Sequence, residues 1–99
     1  RQVVQLPPHT HVEPEIYFYK FLPENGYGYA EVGDTVYKVH HNDATCMAHG
    51  VTHSQATAPG YAEYYIWAIR LRDNDPMVTT VVPEHAWVAE KDAKYFPEI

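Results

Sequence analysis

Short β-rich runs separated by turn residues account for nearly the whole chain, and helical periodicity is almost absent. The runs fall at 3–6, 15–21, 27–32, 35–41, 44–48, 53–58, 61–70 and 77–82, and only 90–95 has the composition of a short helix. Strong breakers punctuate them: Pro23-Glu24-Asn25-Gly26, Gly33-Asp34, Asn42-Asp43, His49-Gly50 and Pro59-Gly60. Among these, Asn25-Gly26 is the best short hairpin signal. Many short strands at this spacing predict an all-β sandwich or barrel. Ninety-nine residues suffice for one domain, burying roughly two-thirds of the unfolded surface.

Two runs break the simple alternation of inside and outside. Ile16-Tyr17-Phe18-Tyr19-Lys20-Phe21 and Tyr64-Tyr65-Ile66-Trp67-Ala68-Ile69 carry apolar residues on both faces. A sheet with one wet face would alternate instead. One face of each run is therefore expected to line the interior and the other to be covered. A homodimer partner or a second domain is the simplest cover, and the tail over 71–99 is the alternative.

The formal charge is −6, with seven Lys and Arg against thirteen Asp and Glu. That balance argues against a nucleic-acid surface, which needs clustered cations to neutralise phosphates, and against anionic membranes. No apolar run approaches the roughly 20 residues that span a bilayer, and no signal peptide opens the chain. The single Cys46 excludes an internal disulfide framework and fits a reducing, cytoplasmic setting. Its strand context predicts a buried, inert thiol, since no cation adjoins it to lower its pKa. The chain begins in strand-like composition with no initiator Met, so a fragment or one half of a longer protein is expected.

The candidate chemistry is concentrated in Pro7-Pro8-His9-Thr10-His11-Val12-Glu13-Pro14-Glu15. In extended backbone, residues two apart project to one face, so His9 and His11 point the same way. Glu15 shares their parity, while Glu13 is the weaker carboxylate candidate because it lies so near His11. A further ligand must come from another strand, and His53 in Gly50-Val51-Thr52-His53 is the candidate. Three imidazoles and a carboxylate suit zinc, iron, manganese or nickel. His40 and His41 fall at a strand end before a turn and are expected to be solvated. His49 is expected near the mouth of the barrel.

These motifs resemble those of the cupin superfamily of small β-barrels, the double-stranded β-helix or jelly roll. There the first motif carries His-x-His and a Glu, and the second ends Gly-x-x-His. The likeness implies that His9, His11, Glu15 and His53 are ligands of a divalent metal, zinc foremost. Pro7-Pro8-His9-Thr10-His11, Glu15-Ile16-Tyr17-Phe18-Tyr19-Lys20-Phe21, Gly26-Tyr27-Gly28, His53 with Pro59-Gly60-Tyr61, Tyr64-Tyr65, and Glu84-His85-Ala86-Trp87-Val88 narrow it further. Together they resemble the 5-deoxy-glucuronate isomerase family, in particular its C-terminal cupin, which is related to the 5-keto-4-deoxyuronate isomerases. Ala48 stands where the cupin pattern has Pro, Asn42-Asp43 replaces a Gly-Asp turn, and the family's N-terminal cupin has no counterpart here.

The resemblance implies a metal-dependent isomerase that interconverts aldose and ketose forms of a sugar acid. Such a reaction needs a Lewis acid to polarise a carbonyl and a group to move a proton between adjacent carbons through an enediol. Tyr17, Tyr19, Tyr65 and His85 are the candidate catalytic side chains, with Glu63 and Lys20 as further possibilities. Tyr17 and Tyr19 share the parity of Glu15, whereas Lys20 has the opposite one. A carboxylated substrate calls for a cation, for which Arg70, Arg72 and Lys20 near strand ends are the candidates. A mononuclear iron dioxygenase and a non-catalytic sugar-binding cupin are the competing readings of the same ligand set.

Overall fold

In the computed structural model the described residues are 7–94. The expected strand at 3–6 lies outside them. Eight strands follow in order: β1 (His9–Thr10), β2 (Glu15–Leu22), β3 (Tyr27–Val32), β4 (Thr35–His40), β5 (Ala44–Met47), β6 (His53–Thr57), β7 (Ala62–Ile69) and β8 (Thr80–Val81). They form two antiparallel sheets, one in the order β4-β3-β6-β1-β8 and the other β5-β2-β7. The all-β, cupin-like expectation is met by these two sheets. The run at 77–82 contributes only the two residues of β8. A 3₁₀ helix over Pro83–Ala89 follows, whereas 90–94 of the expected helix are not helical. Pro83 opens that helix with a preset φ and no amide donor to satisfy.

Turn chemistry decides which strands pair. Between β3 and β4 the loop is Gly33-Asp34, with Val32 opposite Thr35 and Gly33 at φ 60°, a hairpin that glycine makes free of strain. The Pro23–Gly26 turn is different. Its Gly26 N–H donates to the Pro23 carbonyl at 2.9 Å, yet β2 and β3 enter opposite sheets, so the Asn-Gly signal marks a crossover and not a hairpin. Gly26 is required there because a Cβ would lie 2.7 Å from the Tyr61 ring.

β2 supplies the spine of the core. Tyr17, Tyr19 and Phe21 are buried against Ala30 of β3, Val39 of β4 and Met47 of β5, with Val32, Val51 and Tyr65 packed around them. Alternate residues of β2 point outward, where Ile16 pairs with Ala68, Phe18 with Ile66 and Lys20 with Tyr64. On that outer face Ile16 is 52% and Ile66 55% exposed. The tail therefore does not cover it over the described residues. Cys46, opposite Ile16, is exposed on the same face, which corrects the expectation of a buried thiol. Lys20 points outward as its parity predicted. Among the described residues no helix is long and apolar enough to cross a membrane.

Candidate metal centre and cavity

Antiparallel register builds the site. His9 of β1 stands directly opposite His53 of β6, so two imidazoles far apart in sequence become cross-strand neighbours with ring centroids 4.5 Å apart. His11 follows two residues after His9, in the connection to β2, and its ring centroid is 5.1 Å from that of His53. Glu15 opens β2 on the other sheet, so the site spans the two layers. His9, His11, Glu15 and His53 are all buried. One ring nitrogen from each of the three histidines lies within 4.8 Å of the others, a group that could hold a metal ion.

The backbone fixes the protonation pattern of these rings. His9 Nδ1 lies 2.8 Å from the Pro7 carbonyl, His11 Nδ1 2.8 Å from the Glu13 carbonyl, and His53 Nδ1 3.0 Å from the Val51 carbonyl. A carbonyl only accepts, so each Nδ1 carries the proton and each neutral ring keeps its lone pair on Nε2. Backbone carbonyls play this orienting part for histidines that bind metals. Glu15 Oε2 is 2.8 Å from His11 Nε2 and 3.1 Å from His53 Nε2. The latter nitrogen is buried and makes no hydrogen bond. Lone pairs from two rings and a carboxylate oxygen repel at such distances unless a cation lies among them. Burial, followed by the charges of His9 and His11, holds the His53 imidazole below its ordinary pKa, against the Val51 carbonyl and Glu15, which act upward. That disfavours a proton on the His53 ring, and a divalent metal fits this donor set.

A cavity of about 180 Å³ opens beside this group. It is small against the roughly 300–1,000 Å³ of ordinary ligand pockets, so it suits a small molecule. Tyr17, Tyr65, Gln55 and Trp67 line it together with His9, His11 and Glu15. Burial, then the Glu15 charge and hydrogen bond, pushes the Tyr17 phenol far above its usual pKa. Burial, with Glu63 and Glu15, raises Tyr65. Both phenols are therefore neutral donors at physiological pH.

The other expected residues lie elsewhere. Tyr19 is fully buried. Its hydroxyl donates to Gln55 Oε1 at 2.6 Å and lies 2.8 Å from Thr45 Oγ1, and burial pushes its pKa up to about 12. His85 sits in the 3₁₀ helix, exposed, beside a second, open cleft with Pro8, Glu31 and Asp34. His49 is exposed and lines neither. His41 is not simply solvated, because its Nδ1 accepts the Phe21 N–H at 3.0 Å and ties the β4–β5 turn to β2. Lys20, Arg70 and Arg72 are exposed, and no described Lys or Arg lines the cavity. Gln55 and Trp67 were not anticipated. Each lies two residues from an expected site residue on the same strand, His53 and Tyr65, and parity alone would have found them.

The sequence model of the KduI/IolB family, which comprises 5-keto-4-deoxyuronate and 5-deoxy-glucuronate isomerases, matches residues 4–88, and the chain belongs to that family. Searches of the curated proteins and of the solved structures found no match.

Proposed function

We propose that this member of the KduI/IolB family is a metal-dependent isomerase interconverting the aldose and ketose forms of a deoxyuronate-type sugar acid. The observation that carries the reading is the convergence of three buried imidazoles whose Nδ1 atoms are committed to carbonyls, leaving Nε2 lone pairs for an ion. His9, His11, His53 and Glu15 would hold that ion. A divalent metal there supplies Lewis-acid polarisation of a substrate carbonyl.

The chain's own side chains then bind and orient the substrate. Tyr65, kept neutral by burial, donates a hydrogen bond to a substrate oxygen, while the Tyr17 hydroxyl donates to Glu15 and holds that carboxylate in place. The Tyr19 hydroxyl occupies Gln55 Oε1, which sets the amide orientation and leaves the buried, unpartnered Nε2 free to donate to a ligand. Trp67 and Ile69 form an apolar wall that favours a compact carbon skeleton and limits water. The substrate carboxylate meets neutral donors, because among the described residues the cavity wall offers no side-chain cation.

The outer face of the β5-β2-β7 sheet supports association with a second copy of the chain or a second cupin domain, since Ile16, Phe18, Leu22, Tyr64 and Ile66 are exposed together. The activity is tested by incubating metal-replete protein with aldo- and keto-uronates and their deoxy forms. Interconversion that stops on chelation and returns on adding metal is expected. No interconversion of any of them by protein that has taken up metal rejects the isomerase.

A further inference from the structure

Apart from the proposed metal ligands, two described side chains carry buried polar atoms with no hydrogen-bond partner, Glu63 and Gln55. Glu63 does not line the cavity, whereas Gln55 does. Gln55 lies on β6 two residues past His53 and shares its inward face. Only 6% of it is exposed.

The core holds this amide in one orientation. The Tyr19 hydroxyl donates to Gln55 Oε1 at 2.6 Å. Its single hydrogen is then spent, so at the 2.8 Å contact with Thr45 Oγ1 the threonine donates. Oε1 is therefore turned to the core, and the Nε2 hydrogens are what Gln55 presents to the cavity. Buried donors left unpaired cost free energy that an incoming acceptor recovers.

The matching ligand group accepts hydrogen bonds and offers none. A hydroxyl brings a hydrogen of its own, while carboxylate oxygens only accept. Charge points the same way. Three neutral imidazoles and the Glu15 carboxylate around a divalent ion sum to one positive charge, the complement of a monoanion. No described Lys or Arg lines the cavity to compete for that anion. A hydrogen bond to an ionised acceptor is also about twice as strong as a neutral one.

We infer that Gln55 is a specificity-determining residue that receives the substrate carboxylate and so separates sugar acids from the corresponding neutral sugars. This rests on the isomerase reading, whose substrate is a sugar acid. Gln55 Nε2 donates to a carboxylate oxygen, while Tyr19 and Thr45 position the amide without touching the ligand. A neutral sugar with CH2OH in place of the carboxylate turns a hydroxyl hydrogen toward donors and gains less.

The test is calorimetric binding to metal-replete protein. D-glucuronate and 5-deoxy-D-glucuronate are each paired with the neutral sugar that has CH2OH in place of the carboxylate. Wild type should bind the acids at least about 10-fold more tightly. Gln55→Met removes the donors, and Gln55→Glu sets acceptors in their place at nearly the same shape. Each should weaken acid binding on the order of 10- to 100-fold, with affinity for the neutral sugars changed less than about threefold. A Gln55→Met protein that keeps the preference for acids overturns the assignment and places the carboxylate on the ion. Losses equal for acids and neutral sugars overturn it too, as does wild type that binds neither acid. Should Gln55→Met fail to fold, Gln55→Glu decides by the same ratio. Turnover of the same acids separates the two readings. Gln55-dependent, acid-selective binding by protein that converts no uronate rejects the isomerase and leaves this assignment standing. Conversion by a protein whose Gln55 variants keep the preference rejects the assignment alone.

Discussion

The two faces of β2 contrast along its whole length, buried and exposed residues alternating from Glu15 to Leu22. Inward, Glu15, Tyr17, Tyr19 and Phe21 run from the metal centre into the closed core, each buried. Outward, Ile16, Phe18, Lys20 and Leu22 are as apolar on average yet lie open. Apolar composition therefore does not tell which face is the core. The inner face is distinguished by its polar atoms, which are placed against partners or against the cavity. The outer face offers area and almost no directed chemistry, the character of an association surface.

Substitutions on the inner face at the metal centre should have the largest effect. Removing His53 takes away a proposed ligand, and metal affinity should fall by more than the roughly 10–100-fold typical of losing an outer-sphere partner. Isothermal titration with zinc reads this directly. An unchanged affinity would place the ion elsewhere.

Deeper on the same face, Tyr19→Phe deletes the hydroxyl bonded to Gln55 and Thr45. Leaving a buried acceptor unpaired costs about 1–3 kcal/mol. For a domain of this size each kcal/mol lowers Tm by about 4–8 °C. A Tm within a degree of wild type would show that water takes over the hydroxyl's part.

Glu63 gives the inner face a pH signature. Its folded-state pKa of about 7 lies above the 4.5 of a freely hydrated carboxyl, so the folded state holds the proton more tightly. That contribution to stability is complete below about 4.5 and disappears as pH rises through 7. Thermal melts from pH 5 to 8 should show wild type losing a few degrees relative to Glu63→Gln. Parallel curves would show a carboxyl that is hydrated in the folded state.

The outer face should respond in the opposite way. Ile66→Lys is expected to change the stability of the single chain by no more than about 0.5 kcal/mol. In sedimentation it should shift any assembly toward the monomer mass. A marked loss of stability without a change in mass would mean that the face packs against the chain itself.

Much of this was legible in the sequence. Parity along 15–21 placed Glu15, Tyr17 and Tyr19 together, and His9, His11 and His53 lie where the motif spacing put them. The expectations that missed share a physical origin, namely pairing between distant segments. Cys46 was expected inside because its run reads as a strand, but its partner Ile16 faces outward. Asn25-Gly26 makes a tight turn whether or not the flanking strands pair, so it does not reveal that they separate into two sheets. The helix expected at 90–95 and the 3₁₀ helix found at Pro83–Ala89 differ because a proline-initiated turn needs no amphipathic period. The burial of the Glu63 carboxyl could be read only together with Gly28, which lies on the other sheet and 35 positions earlier in the chain.

Metal content measured by elemental analysis tests the central claim most directly, on wild-type protein and on His53→Ala purified and metal-loaded alike. One equivalent of a divalent transition metal in the wild type and none in the variant is the expected result. No metal in either protein, or equal metal in both, would contradict the account.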